Sequence, residues 1–188
     1  MKKTLLSLAI ASLAAGQSVC AAVEKVYNEP DSVYIFSYAH PEDEGRSGLK
    51  FAWSPDGDKW LSVSDGFAYL KCDFGRWGAE KRMIKPLLEK AEDGRWYCRW
   101  QLTPSGKVWG TSHSSDLLKW APQQYVNAEK PAVPRLVTAR QIVLDKDTLN
   151  GYMQKVPYAD IEQLIRFAEH KKFRDIQTVS YTHLTLPT

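Results

Sequence analysis

From Asp31 to Tyr125 the chain alternates short aromatic and β-branched runs with clusters of Asp, Ser, Gly and Pro, the signature of strands punctuated by tight turns. Asp31 opens the run Ser32-Val33-Tyr34-Ile35-Phe36-Ser37-Tyr38, and Asp93 opens Gly94-Arg95-Trp96-Tyr97-Cys98-Arg99-Trp100. A second strand is predicted after each, over Leu49 to Trp53 and over Val108 to His113. Both pairs then reach the same turn. Ser54-Pro55-Asp56-Gly57-Asp58-Lys59-Trp60 returns as Ser114-Ser115-Asp116-Leu117-Leu118-Lys119-Trp120 after a shift of 60 residues, keeping Ser, Asp, Lys and Trp. In such a turn the Ser or Asp side chain accepts backbone N–H groups, while the Trp begins a third strand and packs between sheets. The pattern predicts two units of several short antiparallel strands, which are either propeller blades or two β-meanders sharing a turn type.

Beyond Tyr125 the pattern changes. Pro131 and Pro134 mark an irregular link, Leu136 to Leu144 reads as a strand, and Asp145 to Gly151 as a turn. The stretch Pro157 to Phe173 predicts a helix. Pro157 suits a first helical position, and Ile161, Leu164, Ile165 and Ala168 fall at i, i+3, i+4 and i+7, one apolar stripe. Asp160, Glu162, Arg166, Glu169 and Lys172 form the opposite, solvated face. The helix is expected to be an insertion packed on the flank of the β-structure.

The two ends are not expected to belong to the fold. Lys2 and Lys3, the apolar run Leu5 to Ala15 and the small residues Val19-Cys20-Ala21 read as a secretory signal over residues 1–21, which predicts a periplasmic or extracellular protein. The apolar run falls short of the ~18 residues that a spanning helix needs, so membrane insertion is not expected. Lipid attachment at Cys20 ranks behind simple export, because Gln17-Ser18-Val19 is a poor lipobox. At the other end, Val179 to Thr188 look like one reading frame of a sequencing adapter, so the natural chain is expected to continue past Thr178.

Composition narrows the class. Seven Trp and nine Tyr favour β-rich structure. Formal net charge is +3, and two of its lysines lie in the leader, so nothing steers the protein to nucleic acid. With the leader removed, Cys72 and Cys98 remain, either as a disulfide or as two buried thiols. Four scattered His residues give no metal-ligand spacing, and neither a metal nor a cofactor is expected.

With the doubled turn and the aromatic strands in view, the chain resembles the five-bladed β-propeller glycosidases of the family 43 type, in an exported bacterial form. Tyr34-Ile35-Phe36-Ser37-Tyr38 with Leu49-Lys50-Phe51-Ala52-Trp53-Ser54-Pro55-Asp56-Gly57 is similar to a first blade, and Trp109 to Leu117 to a second. Tyr152 to Phe173 is similar to a helical insertion found in some members. The resemblance implies an all-β fold: residues 22–178 would form about half of a five-bladed propeller. Blade one would span about 31–71, blade two about 83–126 and the helical insertion about 157–173. It also implies hydrolysis of O-glycosyl bonds in a polysaccharide or oligosaccharide, the carbohydrate being the partner.

Inverting hydrolysis needs two carboxyl groups ~6.5–9.5 Å apart with an attacking water between them. In the family the base lies in an Arg-Asp-Pro motif eight residues before a blade's Asp-Gly turn. Counting back from Asp93 reaches Lys85, followed by Pro86, so the proline is kept and the aspartate is not. A lysine ammonium cannot accept a proton from water, and the general acid would lie in later blades. Asp73 and Glu80 are therefore the candidate catalytic carboxylates, able to replace the lost base. They sit in Asp73-Phe74-Gly75-Arg76-Trp77-Gly78-Ala79-Glu80-Lys81-Arg82, where Trp77 suits stacking on a sugar ring and Arg76 and Arg82 suit bonding its hydroxyls. The same stretch also fits a plain surface loop with one packed Trp. His113 completes the candidate binding set, as a residue of the central pocket or as a structural histidine. Two functions follow: a secreted glycosidase, or a carbohydrate-binding propeller that has lost its base.

Overall fold

The computed structural model describes residues 30–64, 66–77, 80–104, 107–127 and 132–171. The expected leader, Cys20 and the terminal Val179 to Thr188 lie outside them. Among the described residues nine strands form two sheets: β1 (Ser32–Tyr38), β2 (Lys50–Ser54), β3 (Leu61–Ser62), β4 (Ile84–Lys90), β5 (Trp96–Gln101), β6 (Val108–Ser114), β7 (Gln124–Asn127), β8 (Val137–Leu144) and β9 (Asp147–Pro157). One sheet runs β3-β2-β1-β9-β8 and the other β4-β5-β6-β7, with every pairing antiparallel.

The repeat seen in the sequence is a repeat in space. β1-β2-β3 and β5-β6-β7 are equivalent meanders, with Tyr34 opposite Ser54 in the first and Trp96 opposite Ser114 in the second. Each has a further strand on its leading edge. In the second sheet that strand is β4, the preceding segment; in the first it is β9, which arrives from far downstream and pairs along all of β1, from Ser32–Pro157 to Tyr38–Gly151.

Alternation along β1 sorts its side chains onto two faces. Val33 and Ile35 enter the principal core, with Phe51, Leu88, Trp96, Cys98 and Trp100. Phe36 and Tyr38 enter a smaller cluster on the other face, with Ala52, Ile142, Leu144 and Leu149. The sheets are joined across the principal core by two buried polar contacts, Ser37 Oγ donating to the Pro86 carbonyl (3.0 Å) and Gln154 Nε2 to the Leu88 carbonyl (3.3 Å).

Two expectations for the C-terminal part need correction. Asp145 to Gly151 is not a turn: only Asp145 and Lys146 connect β8 to β9, and Asp145 takes the left-handed conformation (φ 57°) that tight two-residue hairpins demand. Pro157 does not open a helix either. It is the last residue of β9, opposite Ser32, and a short 3-10 turn, Tyr158–Asp160, intervenes before helix α1, residues 162–171. The predicted stripe is right, but it is not a flank: Ile161, Leu164, Ile165 and Ala168 are buried in the principal core. A fully buried side chain of this size contributes ~1.5–3 kcal/mol, which holds a helix too short to persist alone. On its outer side Lys90 pairs with Asp160, and Arg166 with Glu162. Cys72 and Cys98 are both buried free thiols, and burial pushes the Cys98 thiol far above its usual range.

Candidate functional site

Strand β4 begins with an irregularity. In its pairing with β5, Ile84 lies opposite Gln101 and Leu87 opposite Arg99, so Lys85 and Pro86 together face the single residue Trp100. This is a β-bulge, and it accommodates a proline that could not donate to a regular ladder. Lys85 adopts φ 50°, the left-handed conformation that bulges of this type reserve for glycine and that costs an L-residue ~1–2 kcal/mol.

The bulge sits at the middle of a groove. One hollow, about 310 Å³, is lined by His40, Glu44, Arg82, Lys85 and Asn150 among others. A second, about 400 Å³, is lined by Lys85, Arg140, Gln141, Asn150 and Tyr152 among others. Lys85 and Asn150 belong to both. Glu44 is held by Arg82 (2.9 Å) and Arg46 (3.2 Å), and His40 Nε2 lies 3.3 Å from Asp147. Among the described residues Arg140 has only a long contact to Asp58 (3.8 Å) and one from Nη1 to the Met153 sulfur (3.6 Å). The Lys85 ammonium has no ion pair or hydrogen bond among the described residues.

The loop read as a sugar-binding segment leads into this groove, because the Arg82 N–H donates to the Glu80 carbonyl (3.0 Å). Within the loop Glu80 is occupied. Its Oε2 accepts the Arg76 N–H (2.9 Å) and the Trp77 N–H (3.2 Å). Gly75, at φ 77°, turns the chain back so closely that a Cβ there would lie 2.2 Å from that oxygen. The candidate base Glu80 is thus a loop-closing acceptor, spent on backbone donors. Trp77 is 68% exposed, with the Arg76 guanidinium 5.9 Å from its ring centre; it is not the packed Trp of a plain surface loop.

Asp73 is tied differently. The Tyr125 hydroxyl donates to its Oδ1 (2.6 Å), with Gln123 Oε1 as a competing acceptor at the same distance. Gln123 Oε1 also receives the Asp73 N–H (3.1 Å). One phenolic proton serves two acceptors, and burial, with Asp73 second, pushes the Tyr125 hydroxyl well above its usual range. Asp73 keeps Oδ2 available and remains the stronger of the two carboxylate candidates.

His113 stands apart. It lies on β6, an inner strand of its sheet between β5 and β7, opposite Tyr97, whose ring centre is 5.7 Å away. It lines a separate hollow with Arg95, Lys119 and Trp120. Tyr125 faces the core side with Gly110 and Trp100, and His113 is three residues further along β6 on the other face. The structure therefore gathers Arg82 with Lys85 but separates His113 from the loop. His40, Glu44, Arg140 and Asn150 were not found from sequence: two of them reach the groove only through the β8–β9 hairpin, whose pairing to β1 leaves no local trace.

No protein-family model matches the chain, and no curated protein or solved structure matches it. Among the described residues no three His, Cys, Asp or Glu side chains gather as a metal would require, and no helix is long and apolar enough to cross a membrane.

Proposed function

We propose that the chain is part of an exported, propeller-type carbohydrate-active protein, and that it binds a saccharide without hydrolysing it. The observation that carries this reading is the bulge at Lys85. The position where the family 43 resemblance expects an aspartate base instead holds a lysine that lines both hollows of the groove. Glu44 is held by two arginines, Glu80 binds backbone N–H groups through Oε2, and Asp73 binds Tyr125 through Oδ1, keeping only Oδ2 available. Hydrolysis would need one carboxylate free to take a proton from water opposite another. The exposed Trp77 with Arg76 beside it offers a ring-stacking platform. The three-strand meander seen twice, with the same turn in the same place, supports the propeller reading.

Affinity electrophoresis through gels containing soluble polysaccharides, paired with a reducing-end assay, tests the proposal. Retardation that weakens on Trp77→Ala, with no release of reducing ends, is the expected result. Release of reducing ends that falls by ~10²-fold on Asp73→Asn, the loss typical of a missing general base, would restore the glycosidase. A chain retarded by no saccharide would overturn the carbohydrate reading altogether.

A further inference from the structure

A lysine in the left-handed place of a bulge is an expensive choice where glycine is available. The following proline restricts it further. Such an outlier persists when its side chain has work to do, and bulges are a common means of re-aiming a side chain beside a site. Lys85 lines both hollows of the groove. It has no anionic partner among the described residues, although Glu44 lines the same groove and is already taken by Arg82 and Arg46.

Arg140 borders the second hollow, but its guanidinium lies on the opposite face of the β8–β9 hairpin, against Asp58 (3.8 Å) and the Met153 sulfur (3.6 Å). Asp147 is engaged by His40, which lines the first hollow. Asn150 lies at the junction of the two hollows, where the Gln141 side chain donates to its Oδ1 (3.2 Å), and Tyr152 lies beyond. The groove thus offers a central cation, unpaired among the described residues, with the neutral polar groups of Asn150, Gln141 and Tyr152 beside it. That is the complement of a saccharide carrying an anionic substituent, with hydroxyls on either side.

We propose that the groove selects an acidic saccharide, its carboxylate or sulfate received by Lys85 and its hydroxyls by the neighbouring Asn150, Gln141 and Tyr152. This rests on the carbohydrate reading above and names the ligand class for it. The anion could belong to a uronic acid or to a sulfate ester, and the two are separated by experiment.

The test is calorimetric titration of the chain with three oligosaccharides of matched length: an oligogalacturonate, a sulfated galactan fragment and a neutral galactan fragment. The inference expects at least one anionic ligand to bind about tenfold or more tightly than the neutral one, the scale of one charge-assisted hydrogen bond, with affinity falling as salt rises. The tighter of the two anionic ligands identifies carboxylate or sulfate. Lys85→Gly should lose most of this preference while melting at a higher temperature than the parent, because glycine fits the bulge; loss of binding then cannot be blamed on unfolding. Lys85→Arg should retain the preference. Equal binding of neutral and anionic ligands, or a preference unchanged in Lys85→Gly, would overturn the inference and leave the carbohydrate reading standing. Failure of all three ligands, together with the gel result above, would remove both.

Discussion

The turns Ser54–Trp60 and Ser114–Trp120 carry the same hydrogen-bonded frame on different side chains. In each, the serine hydroxyl donates to the aspartate two residues on (2.9 and 3.0 Å) and accepts the N–H three residues on, from Gly57 at 2.8 Å and Leu117 at 2.9 Å. The aspartate oxygen then accepts the next two N–H groups, those of Asp58 and Lys59 in one turn and of Leu118 and Lys119 in the other. At the left-handed third place the turns part: Gly57 (φ 87°) occupies it without strain, and Leu117 (φ 63°) occupies it with strain. Leu117 is fully buried in the principal core, and that burial, ~1.5–3 kcal/mol, offsets a conformational cost of ~1–2 kcal/mol. The closing tryptophans diverge too. Trp120 lies at the margin of the principal core and donates its indole N–H to the Leu117 carbonyl (3.2 Å), whereas Trp60 packs on Phe36 in the smaller cluster, ring centres 5.5 Å apart. Ser and Asp therefore set the turn, and the residue that follows the Asp answers to whatever lies beneath it.

The sharpest way to break this comparison is at Leu117. Leu117→Ala removes buried methyls and keeps the strain, at a cost of ~2–5 kcal/mol. Leu117→Gly removes the strain as well, so it should cost about 1 kcal/mol less than the alanine variant, the reverse of the usual order. Urea midpoints for the two variants decide it; a glycine variant less stable than the alanine one would mean that the left-handed turn is not what strains Leu117.

Next in size are Ser54→Ala and Ser114→Ala. Each leaves a buried N–H, of Gly57 or Leu117, without its acceptor, worth ~1–3 kcal/mol. Equal losses in thermal melts would establish the turns as equivalent; a loss confined to one would show that the shared frame is maintained by different forces in the two repeats.

Gly57→Ala should cost ~1–2 kcal/mol, because an added Cβ would be strained by its φ and would touch the Tyr34 ring at 3.3 Å. A neutral outcome in denaturant titration would show that the first turn relaxes where the second cannot.

The smallest effect is the acid response. The N–H groups of Lys59 and Asp58 and the Ser54 hydroxyl hold Asp56 down at about 2, from an ordinary 3.8. Asp116 is also lowered: burial pushes it up, but the N–H groups of Lys119 and Leu118 and the Ser114 hydroxyl outweigh it. A carboxyl depressed by folding contributes stability that is complete above its unfolded value and is lost as pH falls through the folded one. Stability should therefore decline from about pH 4 toward pH 2. Asp56→Asn and Asp116→Asn should each flatten that decline, as read from melting temperature against pH.

Much of this architecture was legible because its causes are local. The turns hydrogen-bond within a few residues, the strands alternate, and the helix carries its stripe in consecutive turns, so Ser54, Asp56, Ser114, Asp116 and the row from Ile161 to Ala168 could be read directly. Even Lys85 could be singled out from its spacing to Asp93. The place of Glu80 could not be read, because a carboxylate in a Gly-rich loop looks the same in sequence whether it faces substrate or closes the loop on the N–H groups of Arg76 and Trp77.

By itself, then, the sequence determined the doubled strand-turn unit and the apolar face of the helix. Tertiary structure alone decided that β9 would complete the first sheet and that Arg140 and Asn150 would reach the groove. It also decided that Lys85 would stand in a left-handed bulge opposite Trp100 and that His113 would face elsewhere. The physical reason is range. A turn or helix stripe is fixed by bonds and periodicities within a few residues, whereas strand pairing between Tyr34 and Lys155 is chosen by the burial of whole faces, which no short stretch of chain encodes.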